Sequence, residues 1–227
     1  MIKVVSSVIC PFVQRVTALL EAKKIPYKIE FINLSDKPQW FLDISPNGQV
    51  PVLINENGKA LFESDAIAEY IEEVYPASEP AVDAEQRAIN RAWSCLATKN
   101  YMVQCSAQRS EDAETLQERA QKLDQAFTRI EKVLTDTTFF NGESLNMVDI
   151  AWLPLLHRAA IIKQHSGYDF LNAYPKLKQW QSNLMATGLA EKSVSEDFEG
   201  IFTSFYLADT TYLGRLSRGE AGHCHGD

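Results

Sequence analysis

The chain has 227 residues, 45% of them apolar, with 22 Lys and Arg against 30 Asp and Glu and a formal net charge of −8. That length suffices for one large core or two modest ones, and an acidic balance without a long basic run excludes nucleic acid and anionic membrane as expected partners. No apolar stretch approaches membrane-spanning length, and Met1–Val5 enters a strand directly, so no membrane span or signal peptide is expected.

A short apolar strand is predicted over 2–5, followed by a small polar turn and a helix over 11–24. The junction reads Ser7-Val8-Ile9-Cys10-Pro11-Phe12-Val13-Gln14-Arg15. Proline is favoured at the first helical position, where its missing N–H would have had no intrahelical partner. Cys10 therefore falls at the N-cap, where free backbone N–H groups and the positive end of the helix dipole converge. That setting favours a thiolate, the nucleophilic form of cysteine. A dithiol oxidoreductase would carry a second cysteine three residues on, where this chain has Val13. The site is thus expected to be monothiol, with an external thiol releasing any mixed disulfide formed on Cys10.

Strands over 27–33, 51–55 and 59–62, a short helix near 38–44 and a helix over 64–74 complete the first part of the chain. Asn57-Gly58 between two apolar runs signals a hairpin, and Pro51 opens its strand, the one place there where proline is tolerated. Tyr75-Pro76-Ala77-Ser78-Glu79-Pro80 has no periodicity and reads as a linker. Beyond it only helical patterns occur, over 84–108, 112–135, 147–164 and 174–186, with shorter pieces after Ser193. Asn146 is placed to cap the third of these, with Asp149 reaching back and Leu145 stapling against Ile150. Pro154 inside that helix predicts a kink or local break. The expected organisation is an α/β domain over 1–75, a linker over 76–83 and an all-helical domain over 84–227 with a flexible tail from about 215.

Trp93, Leu96 and Met102 at helical spacing read as core, as does Trp180 beside Leu177 and Leu184. The four cysteines (Cys10, Cys95, Cys105, Cys224) form neither a disulfide framework nor a zinc spacing, which fits a reducing, cytoplasmic setting. Cys95 and Cys105 share one helix too far apart to bridge, and both read as packing residues. The terminal His223-Cys224-His225 run has metal-ligand types, but it reads as a disordered tail and no metal is expected.

With these pieces in place the chain resembles cytosolic glutathione transferases, most closely the omega class, over nearly its whole length. The resemblance is carried by Cys10-Pro11-Phe12 with Arg15, Lys37-Pro38-Gln39-Trp40-Phe41, Val50-Pro51-Val52-Leu53 and Glu63-Ser64, at spacings that fit the family without gaps. It implies the glutathione transferase fold, a thioredoxin-like N-terminal domain plus an all-α C-terminal domain. It also implies Cys10 as the catalytic residue and Phe12, Lys37, Val50, Pro51, Glu63 and Ser64 as the glutathione-binding set. In that set Pro51 is a cis-proline that lets the Val50 backbone meet the cysteinyl part of the tripeptide. Glu63 suits the γ-glutamyl ammonium, Ser64 and its helix N-terminus the neighbouring carboxylate, and Lys37 the glycyl carboxylate. The substrate pocket implied draws on Tyr101, Arg109, Arg158 and Phe198, with Met102 and Leu155 nearby. Arg158 matches an arginine that the omega enzymes keep near the substrate, and Phe198 stands where they usually carry a tryptophan.

The function this implies is a glutathione-dependent thiol transferase or reductase. Cys10 attacks a glutathionylated substrate or a small oxidant such as dehydroascorbate, and a second glutathione releases the Cys10–glutathione disulfide. Conjugation of glutathione to small electrophiles is the alternative, and it needs a hydroxyl where Cys10 stands; Ser6 and Ser7 precede the helix start. A non-catalytic binding protein of the same fold is a third reading, opposed by the joint presence of Cys10 and the glutathione contacts. A homodimer is expected from the resemblance.

Overall fold

The computed structural model describes residues 1–75 and 82–220. Ile2, Val4 and Val5 are almost unexposed because their strand, β1 (Ile2–Ser6), is an inner one. It pairs in parallel with β2 (Tyr27–Phe31) and antiparallel with β3 (Val52–Ile54), which pairs antiparallel with β4 (Ala60–Phe62). The sheet order is therefore β2-β1-β3-β4. A parallel pair needs a crossover, supplied here by α1 (Pro11–Ala22). The β3–β4 hairpin turns on Asn55, whose Oδ1 accepts the N–H groups of Asn57 and Lys59, with Gly58 at φ 77°. On one face of the sheet α2 (Gln39–Ile44) buries Phe41 against Val5 and Val52. On the other, α1 packs against α3 (Ser64–Val74), which buries Ile67, Ala68 and Ile71.

Seven helices follow among the described residues: α4 (Ala84–Gln108), α5 (Ala113–Val133), α6 (Met147–Ser166), α7 (Pro175–Ala186), α8 (Leu189–Lys192), α9 (Phe198–Tyr206) and α10 (Tyr212–Ser217). The central one is α6, buried on all sides from Val148 to Ala159 as a helix enclosed by others is. It packs against α4, α7, α8, α9 and α10, and also against α1 of the sheet layer. One apolar cluster therefore runs from Val4 and Ile67 through to Trp152 and Phe127. Asn146 and Asp149 form the expected capping box. The Asp149 carboxylate also accepts the Phe140 N–H at 3.0 Å and the Trp180 indole N–H at 2.7 Å. Burial pushes this carboxyl up to about 6, against the pull of its N–H donors.

Several expectations are corrected. Of the kink or local break expected at Pro154, the break is absent, since α6 is continuous from Met147 to Ser166. The strand expected over 27–33 stops at Phe31. Met102 is 61% exposed and is not core, whereas Leu177, Trp180 and Leu184 are buried as read. The last helix, α10, continues to Ser217, past the point where a flexible tail was expected. The Pro76–Pro80 linker reading and the His223-Cys224-His225 tail lie outside the described residues.

Candidate active site

Cys10 occupies the N-cap of α1, with φ −76°, ψ 120° and Pro11 at the first helical position. Its own N–H donates to the Ser7 carbonyl at 3.1 Å and its carbonyl accepts the Gln14 N–H at 3.2 Å, so the backbone is satisfied and the thiol is free. The sequence reading of an activated thiolate needs correction. Burial pushes the Cys10 thiol above its ordinary value, while the Val13 and Phe12 N–H groups and the Arg158 charge pull it down without cancelling that rise. The helix end acts in the expected sense, and enclosure outweighs it.

Beside α1 the chain turns through Ser45–Pro51. Ser45 pins this turn, its hydroxyl accepting the Gln49 N–H and donating to the Gln49 carbonyl, both at 3.0 Å. The Val50–Pro51 peptide bond is cis. Glu63 stands at the N-cap of α3 with φ 65° and ψ 118°, a conformation that costs a non-glycine residue free energy and tends to mark functional positions. Its Oε1 accepts from Asn47 Nδ2 at 2.9 Å, which leaves the second carboxylate oxygen for a ligand. Phe12, Val50, Pro51, Glu63 and Ser64 line one cleft of ≈ 110 Å³ together with Ser45, Asn47, Gln49 and Phe62. Lys37 is exposed outside the cleft wall, its Nζ 3.6 Å from where a Cβ on Gly48 would sit, and Gly48 has φ 57°. Five of the six residues read as glutathione-binding thus share a cleft, with Lys37 at its edge. Asn47 and Gln49 were missed; the Pro46-Asn47-Gly48-Gln49 run signals a turn but not what the turn faces. Among the described residues no group of His, Cys, Asp and Glu has the geometry to hold a metal ion.

Three of the four residues read as a substrate pocket lie in a buried wall. Arg158 is fully buried. One terminal nitrogen donates to Gln14 Oε1 and to the Pro154 carbonyl, and the other donates to the Ile9 carbonyl at 3.3 Å. Its guanidinium lies over the rings of Phe198 and Phe202, 5.3 and 6.0 Å from their centroids. Phe198 is buried and stacked on His157. Tyr101 is buried too, its hydroxyl donating to the Ala151 carbonyl at 2.5 Å and its ring meeting Phe12 edge-on at 5.0 Å. Of the four residues only Arg109 is exposed, stacked on Phe205. Gln14, which sequence reading left unassigned, joins the wall together: its side-chain nitrogen lies 2.9 Å from His157 Nδ1 and 3.3 Å from both Ser193 Oγ and the Ala190 carbonyl. A larger cavity, ≈ 370 Å³, lies between α1, α3, α4 and α6 and holds none of the residues predicted for the site.

Residues 9–74 match the N-terminal domain family of glutathione S-transferases, and residues 113–180 match the C-terminal domain family. The chain is 34% identical to glutathione S-transferase omega-1 of Sus scrofa, over 82% of this chain and 77% of that protein. It is 37% identical to glutathione S-transferase DHAR2 of Arabidopsis thaliana, over 69% of this chain and 70% of that one. Among solved structures, glutathione transferase Omega 3C from Trametes versicolor resembles it with a TM-score of 0.73 at 27% identity, covering 86% of this chain and 89% of that one. With its fold, its cis-proline cleft and these relatives in agreement, the chain belongs to the glutathione S-transferase family, beside its omega-class members.

Proposed function

We propose that the protein is a glutathione-dependent thiol transferase and reductase working through a Cys10–glutathione mixed disulfide. The observation that carries this reading is a free thiol at the α1 N-cap, beside the cleft formed by Val50, cis-Pro51, Glu63 and Ser64, with Val13 in place of a neighbouring second cysteine.

Glutathione lies in the cleft. The Val50 backbone pairs with its cysteinyl unit, the open oxygen of Glu63 takes the γ-glutamyl ammonium, and Ser64 at the start of α3 takes the adjacent carboxylate. Lys37 faces the glycyl carboxylate from the cleft edge. Phe12 supplies an apolar flank. The Cys10 thiolate attacks the glutathionyl sulfur of a mixed-disulfide substrate; the Cys10–glutathione bond forms and the substrate leaves as a thiolate. A second glutathione thiolate then attacks that bond, freeing Cys10 and forming oxidised glutathione. A small oxidant of the dehydroascorbate type enters the same cycle through a covalent adduct on Cys10. Because the thiolate is the reactive form and burial opposes it, turnover rises toward alkaline pH.

Conjugation without a protein nucleophile is less well supported. Ser6 is buried with its hydroxyl donating to the Ser7 carbonyl, so it offers no hydroxyl to the glutathione sulfur. The division of labour belongs to the same proposal, residues 1–75 holding glutathione and residues from 84 onward holding the second substrate. So do a homodimer and a cytoplasmic location, both resting on likeness to the omega-class relatives. Incubating the chain with oxidised glutathione and weighing it intact tests the reading: one glutathionyl adduct on Cys10, removable by reductant, is the expected result.

A further inference from the structure

The cavity of ≈ 370 Å³ between α1, α3, α4 and α6 shares no lining residue with the glutathione cleft. Its size falls within the roughly 300–1,000 Å³ typical of small-molecule sites. Leu19, Leu145, Met147 and Ile150 give it an apolar surface. Two polar side chains of the same lining, Arg15 and Asn146, are only 3% and 4% exposed and hold donors without acceptors. Arg15 Nη1 pairs with Asp65, but its Nε has no partner among the described residues. Asn146 Oδ1 caps α6, accepting the Val148 and Asp149 N–H groups at 2.8 and 3.4 Å, while its Nδ2 has no partner among the described residues. A buried donor left unpaired bears its full desolvation cost, which is why buried polar atoms are nearly always paired. Both orphans here are donors, so what completes them is an acceptor. Charge narrows its class. Asp65 pairs with Arg15, Glu69 with Arg91, and Glu72 with Lys23 at 3.1 Å. The remaining charges of the lining, Arg87 and Glu73, cancel, so no net positive charge is left to hold an anion.

We propose that this cavity is a second binding site, taking a small, mostly apolar molecule whose neutral carbonyl oxygen meets the free donors of Arg15 and Asn146. The apolar body lies against Leu19, Leu145, Met147 and Ile150. The guest touches α1 and α3 of the sheet layer and α4 and α6 of the helical layer, so its binding ties the two layers together. Cys95 of α4 lines the same cavity with a free, partly exposed thiol, which makes it a reporter of occupancy. The site stands independently of the thiol transferase reading, because no residue of the cavity belongs to the glutathione cleft.

The test uses the full chain with S-methylglutathione present to fill the cleft, and two probes of one shape, 2-acetylnaphthalene and 2-isopropylnaphthalene, the second lacking the oxygen. Equilibrium dialysis gives each affinity, and iodoacetamide labelling of Cys95, followed by peptide mapping, gives the place. In wild type the ketone should bind and slow Cys95 labelling in proportion to its occupancy. Asn146→Asp keeps the cap and removes the donor, so it should weaken the ketone about tenfold, the loss of one hydrogen bond, and leave the hydrocarbon unchanged. Asn146→Ser, which also caps, repeats the comparison without an added charge. Failure of the ketone to bind wild type, or binding that leaves Cys95 labelling unchanged, overturns the inference whatever the variants do. A loss no greater for the ketone than for the hydrocarbon in both variants overturns it too.

Discussion

Arg158 of α6 donates a hydrogen bond to the Ile9 carbonyl at 3.3 Å, so a buried cation from the helical layer grips the residue that precedes the candidate nucleophile. The same guanidinium holds Gln14 of α1 and lies over Phe198 and Phe202 of α9. The turn carrying Cys10 is thereby fixed to both α6 and α9, and its electrostatics are set from behind.

Replacing this arginine tests that arrangement. Arg158→Lys keeps the charge but loses the planar fork that serves three acceptors, so it should cost about 2 kcal/mol of stability in a denaturant titration. Arg158→Met should cost more, because Gln14 Oε1 and the Ile9 carbonyl are left buried and unpaired. A loss below about 0.5 kcal/mol, the range of ordinary surface substitutions, would mean that water reaches Arg158.

The pH dependence of Cys10 follows from its enclosure. Its thiol sits above the ordinary value because burial outweighs the Val13 and Phe12 N–H groups and Arg158. Alkylation of Cys10 by iodoacetamide, followed at the peptide level, should rise steadily through neutral pH with a midpoint above about 8.5. The midpoint should move higher still in Arg158→Met, which removes one of the groups that lower it. A rate already at its plateau at pH 7 would show that the helix end dominates.

His157 gives the acid limb of stability. Burial and the neighbouring Arg158 charge push its imidazole down to about 3. Between that value and the ordinary histidine value of about 6.5 the unfolded chain binds a proton that the folded chain refuses, so stability falls as pH is lowered through this window. The slope is about 1.4 kcal/mol per pH unit, or about 2 kcal/mol between pH 6.5 and 5 from this residue alone. Chemical denaturation at the two pH values should show that loss in wild type and a flatter response in His157→Gln. Equal slopes would place the imidazole in contact with water.

Glu63 and Lys37 separate binding from chemistry. Both are read as holding charged ends of glutathione that lie away from its sulfur. Glu63→Ala should raise the apparent KM for glutathione about tenfold with kcat nearly unchanged, the effect of losing one charge-assisted contact. Lys37→Ala should raise it only about twofold, since an exposed lysine is screened by water. A fall in kcat at saturating glutathione in either variant would assign that residue to the transition state instead.

What the sequence disclosed follows the range of each interaction. Cys10 before Pro11 and the Asn146–Asp149 capping box are set by neighbours three residues apart or fewer, and both stand where they were read. The cleft around Val50, Pro51, Glu63 and Ser64 was legible only as a family pattern, because nothing local brings the 45–51 turn to α3. The burial of Arg158 was not legible, for a related reason. Its partners Gln14, Ile9, Phe198 and Phe202 come from segments far away in the chain. Gln14 gave no signal at all, since its side-chain partners His157 and Ser193 lie 143 and 179 residues away. The Cys10 thiol combines both cases, with a local helix end opposed by burial that arises from chain folded back over it.

Intact mass with peptide mapping measures directly whether Cys10 alone accepts glutathione from a disulfide. Early after mixing with oxidised glutathione, wild type should carry one glutathionyl group on the Cys10 peptide, lost on adding reductant, and Cys10→Ser should carry none while still binding glutathione. An adduct first formed on Cys95 or Cys105, or one that forms unchanged in Cys10→Ser, would rule out Cys10 as the nucleophile.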